Sequence, residues 1–148
     1  KNNNIFFEVY ALYAITSLYG IEILEDNVLK TRFRLYDILK KFYKQNFKSD
    51  FNEEYKKSVK KVISLNIVHG DALSLISQKT KKPIIFSEWS LINDTDFKRR
   101  EFTFKELLAY QPYSERNLFS DLGDEAFIPS PVKEHKPKNY LNLYEYSQ

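Results

Sequence analysis

The stretch "SLYGIEILEDNVLKTR", residues 17–32, decides how the chain is read. Its apolar run from Leu18 to Leu24 is short and β-branched enough for a buried strand, and it carries one acid, Glu22. The polar turn Glu25-Asp26-Asn27 follows, and Asp26 or Asn27 is placed to cap a helix. From there Leu29, Phe33, Tyr36, Leu39 and Phe42/Tyr43 recur at spacings of three and four, predicting an amphipathic helix to about Phe47. Its opposite face is basic, with Lys30, Arg34, Lys40, Lys41 and Lys44.

Working outward, residues 4–16 ("NIFFEVYALYAIT") are apolar on nearly every side and predict a largely buried helix, with Asn4 as its N-cap. Residues 49–62 read as a loop and a second charged helix, whose lysines form a solvated face. Residues 63–75 ("ISLNIVHGDALSL") read as an apolar strand broken by a Gly70-Asp71 turn. Two strands separated by long helices predict a parallel α/β unit. Residues 83–92 give a further strand, with "NDTD" as the turn and "FKRREF" as its return strand. Thr103 and Glu106 have capping-box spacing and open a short helix to about Tyr110. Beyond Gln111 the prolines and the lack of periodicity predict an irregular C-terminal arm, pinned at its end by Tyr140, Leu141, Leu143, Tyr144 and Tyr146. The expected organisation is an α/β domain over 1–110 and an extended Pro/aromatic arm over 111–148.

The 148 residues suffice for one domain with a true core. No apolar run approaches the roughly 20 residues that cross a bilayer. Cysteine is absent, which removes disulfides, thiolate catalysis and Cys-ligated zinc, and fits a cytoplasmic location. The net charge of +3 is compatible with a polyanionic partner without specifying one.

An acid at the C-terminal end of a parallel strand faces the crevice where α/β folds bind ligands. Glu22 there can accept from both hydroxyls of a ribose, or it can be a strand-end acid facing solvent. Asp71 ends the next predicted strand, 49 residues on. Two acids on one rim can hold a single nucleoside, one at the sugar and one at the amine of an attached adenine.

Three blocks, "ALYAITSLYGIEILEDNVLKTRFRLYDIL", "NIVHGDALSL" and "PIIFSEWS…FKRREFTFKELL", resemble the adenine-specific DNA methyltransferases of bacterial restriction–modification systems. The resemblance covers roughly residues 9–110 and implies part of a Rossmann-like S-adenosylmethionine domain with a β-hairpin insertion. It implies that Glu22 holds the cofactor's ribose, that Ile23 packs on the adenine ring, and that Asp71, with Ala72 beside it, meets the adenine amine. The parent enzyme would transfer a methyl group from S-adenosylmethionine to the exocyclic amine of adenine in DNA.

The family's glycine-rich loop and its NPPY-type catalytic motif have no counterpart here. The glycines are Gly20, Gly70 and Gly123, and "QPY" at 111–113 has one proline and no leading Asn. Those motifs are expected before Lys1 and beyond Gln148, so no catalytic residue is assigned within the chain. The alternative is a catalytically inactive fragment that only binds, its aromatic tail docking on the remainder of a methyltransferase or on another copy.

Lys98, Arg99 and Arg100 are candidates for DNA phosphates, or for charges guarding an edge strand. Asp71 and Glu88 lack the lysine that a metal-dependent nuclease needs two residues after the Glu, since Ser90 stands there. His69 and His135 have no companion ligand spacing for a metal, Ser87 and Ser90 have no nucleophile-elbow glycines, and Trp89 reads as a packing residue.

Overall fold

A computed structural model describes residues 2–105 and 130–147. Helix α1 (Asn2–Thr16) leads into strand β1 (Gly20–Glu22), followed by the long helix α2 (Glu25–Phe47) and helix α3 (Glu53–Asn66). Strand β2 (Ile67–Asp71) lies parallel to β1, and the short β3 (Ile76–Ser77) turns back antiparallel on β2. A hairpin follows, β4 (Ile85–Leu91) and β5 (Asp96–Thr103), its strands paired from Ile85↔Thr103 to Leu91↔Phe97. The chain is therefore mixed α/β, with one three-stranded mixed sheet, β1-β2-β3, and one antiparallel sheet built on the hairpin.

Several boundaries differ from the sequence reading, each for a local reason. Residues Ile63–Asn66 belong to α3, not to the following strand. A helix buried on its inner face presents the same short apolar run as a buried strand, and only length separates them. The strand in 18–24 contracts to three residues, and α2 opens at Glu25 with Leu24 at the cap position, so neither Asp26 nor Asn27 caps it. Asp26 instead pairs with Lys30 one turn on, at 2.8 Å. Asn4 lies inside α1. Helix α3 has a side-chain cap, Asn52, whose Oδ1 accepts from the Tyr55 N–H at 2.7 Å.

The arm is more ordered at its end than its prolines suggest. Strands β6 (Lys133–Glu134) and β7 (Lys138–Asn139) both pair with β5, and a 3₁₀ helix (Tyr140–Glu145) lies along α3. Two-residue strands show no alternation, so a single sequence cannot reveal them. The expected pins hold: Tyr140, Leu143 and Tyr146 are buried. The capping-box helix lies outside the described residues past Lys105.

The core joins Val9 and Leu12 of α1, Tyr55, Val59 and Val62 of α3, Phe97 of β5 and Leu143 of the arm. Asn66, at the end of α3, ties three parts together: its Nδ2 donates to the Thr16 carbonyl at 3.0 Å, and its Oδ1 accepts from the Trp89 indole at 3.2 Å. Trp89 is thus a buried packing residue. The hairpin sits against the parallel pair through a close approach at Gly70, where a Cβ would lie 2.7 Å from the Ile84 side chain and 3.1 Å from the Ile76 carbonyl.

Candidate functional site

Register places the two acids. Gly20 pairs with Ile67, Ile21 with Val68 and Glu22 with His69. Partners in a ladder point to one face and the side-chain period is two, so Glu22, His69 and Asp71 share a face of the sheet. Glu22 is the last residue of β1 and Asp71 the last of β2, on neighbouring parallel strands. Two residues of strand rise and one strand spacing put their Cα atoms about 8 Å apart.

The loops leaving these strands are shaped by the acids themselves. Glu22 Oε1 accepts from the Leu24 N–H at 2.9 Å, across the turn into α2. Asp71 Oδ1 accepts from the Leu73 N–H at 2.9 Å, and its Oδ2 from the Ser74 hydroxyl at 2.8 Å. These bonds, the Leu73 N–H first, hold the Asp71 carboxyl below its ordinary range. A carboxylate offers about four acceptor positions, so both acids keep capacity for a further partner. His69 stitches the strands at the same edge, its Nε2 lying 2.9 Å from the Ile23 carbonyl oxygen.

Exposed apolar residues follow each acid along the chain. Ile23 is 49% exposed, Leu24 is also exposed and Leu73 is 95% exposed, while Ala72 stands open between Asp71 and Leu73. A cleft of about 650 Å³ opens beside this edge, between the start of α2 and the turn from β3 to β4; Glu25, Leu29, Arg32, His69, Gln78 and Lys79 are among its walls.

The second candidate group lies on β5, from which Arg99 and Glu101 also reach the wall of this cleft. Arg99 is 2% exposed, and its guanidinium donates to the Ser87 hydroxyl and the Ser147 carbonyl, each at 2.7 Å. It also pairs with Glu101 at 3.1 Å, and His135 reaches the same carboxylate at 2.6 Å. Lys98 holds Glu134 at 2.9 Å and Arg100 holds Glu88 at 2.7 Å. All three cations therefore already carry acids, and Arg99 faces the interior. The Arg100 contact also keeps the Glu88 carboxyl below its usual range.

One polar centre went unmarked in the sequence reading. Glu8, 5% exposed, accepts from Tyr43 Oη and Tyr140 Oη at 2.9 Å on its two carboxylate oxygens, and Tyr55 Oη donates to its backbone carbonyl at 2.9 Å. The available signal was a single carboxylate within the apolar run "IFFEVYAL". No family model matches the chain, and no curated protein or solved structure shows a significant likeness to it. Among the described residues no helix is long and apolar enough to cross a membrane.

Proposed function

We propose that this chain is a segment of an adenine-specific DNA methyltransferase and that its parallel-strand edge holds the nucleoside half of S-adenosylmethionine. The observation that carries this reading is the convergence of Glu22 and Asp71 at the ends of adjacent parallel strands, on one face of the sheet. In this reading Glu22 accepts from the ribose hydroxyls, Asp71 accepts from the adenine amine, and Ile23 lies on the ring. Leu73, open to solvent one residue past Ala72, adds a further apolar wall. His69 keeps the Ile23 carbonyl in place through its 2.9 Å contact.

The donor set suits this group. Hydroxyls and an amine seek acceptors, and the two side chains are acceptors with spare capacity in a partly apolar surround. When bound, the cofactor supplies an electrophilic methyl group. The contribution of this chain is binding and orientation, a positioning effect that can supply much of the acceleration of a methyl transfer. No side chain here is assigned to the methyl-accepting adenine.

Calorimetric titration of the 148-residue chain with S-adenosylhomocysteine tests the reading. Weak, saturable binding is expected, weakened at least tenfold by either Glu22→Ala or Asp71→Ala. Absence of heat at millimolar ligand, or binding lost in Asp71→Ala and untouched in Glu22→Ala, would overturn it. Asp71→Asn, which keeps an acceptor for the Leu73 N–H, separates loss of the ligand contact from loss of the turn.

A further inference from the structure

The positive charge of this protein is localised. Residues 25–66, the α2–α3 pair, carry eleven cations against six acids, whereas the rest of the chain carries twelve cations against fourteen acids. Such asymmetry within one domain is the electrostatic footprint of a polyanion-binding face. Most acids of the pair are already engaged: Asp26 by Lys30, Asp37 by Lys41, Asp50 by Lys40 and Glu53 by Lys56.

On α3 a row of lysines meets no carboxylate among the described residues. Lys57, Lys60 and Lys61 follow one another at spacings of three and one, so they share about a quarter of the helix circumference, with neighbouring turns roughly 5–6 Å apart. None forms an ion pair among the described residues. The acids of the helix, Glu53 and Glu54, are confined to its first turn. Two of the heads are held by aromatic faces: Lys57 Nζ lies 5.4 Å from the Tyr144 ring centre and Lys60 Nζ 4.9 Å from that of Tyr36. A cation over a ring keeps its charge and loses less freedom when it next meets an anion. Beside them the Lys61 ammonium is pushed down, first by burial and then by the nearby Arg99.

We infer that the Lys57–Lys60–Lys61 face of α3 binds the phosphate backbone of duplex DNA without reading its sequence. The choice of DNA over other polyanions rests on the methyltransferase reading; the location of the face does not. Lysine is a point charge on a flexible stem and suits phosphate oxygens rather than paired base edges. Lys98, Arg99 and Arg100, the candidates marked by sequence, are spoken for by Glu134, Glu101 and Glu88. The free cations of α3 take that role instead.

Fluorescence anisotropy of the full chain with a labelled duplex of arbitrary sequence, repeated over a salt series, tests this. Binding should weaken linearly in log–log form with salt, and the triple variant K57Q/K60Q/K61Q should lower that slope by about 2–3. K98Q/R100Q should leave the slope unchanged. Circular dichroism and a melting curve confirm that each variant is folded. The inference fails if the wild type does not bind duplex DNA, if the α3 variant keeps the full slope, or if anionic phospholipid vesicles are bound and duplex is not. A chain that binds duplex through these lysines yet ignores S-adenosylhomocysteine would sink the cofactor reading and leave this face standing. The reverse result would do the opposite.

Discussion

Two carboxylate environments in this molecule stand in contrast. Glu8 is enclosed, each oxygen accepting from a tyrosine hydroxyl, one from α2 and one from the 3₁₀ helix, and burial keeps the carboxylate out of reach of solvent. Glu22 and Asp71 sit at an open strand edge and, among the described residues, bond to the turns they begin. The first arrangement ties α1, α2 and the chain's end together. The second leaves acceptor positions open to solvent. Both use the same side-chain chemistry; burial decides which is structural and which is available.

That distinction can be broken experimentally, most forcefully at Glu8. Glu8→Ala strips two buried phenols of their acceptor and should cost about 3 kcal/mol in a urea unfolding curve. Glu8→Gln, which still offers one carbonyl oxygen, should cost about half of that. An Ala variant as stable as the wild type would show that the enclosed site contributes nothing.

The tyrosines sharpen the comparison from the other direction. Burial, reinforced by Glu8, raises the hydroxyls of Tyr55 and Tyr140; burial also raises Tyr43, and Tyr146 is pushed up to about 12. A group whose folded value exceeds its unfolded value of about 10 contributes stability that is full below that pH and is lost as pH rises through the folded value. The unfolding midpoint should therefore fall steeply above about pH 10. The phenolate absorbance of these four residues should appear together with unfolding and not before it.

The smallest effect is expected at the open edge. The depressed carboxyl of Asp71 contributes stability present above the ordinary carboxylate range and lost as pH falls through its folded value. Asp71→Ala should thus lower the midpoint slightly at pH 7 and flatten its decline in acid, read from unfolding curves at several pH values. An equal loss at every pH would assign its role to packing instead of to the charged turn.

Much of the architecture was legible because periodicity marks helices, although it overstated their burial: Leu29 and Phe33 of α2 are exposed, and so are Phe6, Tyr10 and Tyr13 of the first helix, expected to be largely buried. Leu29 to Tyr43 announced α2, and the two strand tips bearing Glu22 and Asp71 were visible as acids closing apolar runs. The parallel neighbourhood of those strands followed from the helices between them. Hidden features all depended on partners remote in sequence. Glu8 finds Tyr140 across 132 residues, and Arg99 finds Ser147 across 48. Neither leaves a local pattern. The α3–β2 junction was obscured for a different reason: Ile63-Ser64-Leu65-Asn66-Ile67 alternates apolar and polar residues as a strand does, yet its first four residues end the helix.

Gly70 deserves separate treatment in any mutational survey. Even the smallest side chain there would collide with Ile84 and crowd the Ile76 carbonyl, so Gly70, the first of the Gly-Asp pair, is a spacer that lets the chain close on the strands. A screen for inactive variants would return both positions side by side, for unrelated causes. Failures at 70 would register as insoluble or misassembled protein, whereas failures at 71 would, under the proposed cofactor role, leave soluble molecules that no longer bind S-adenosylhomocysteine. Sorting mutants by yield before assaying them would keep a steric demand from being mistaken for recognition.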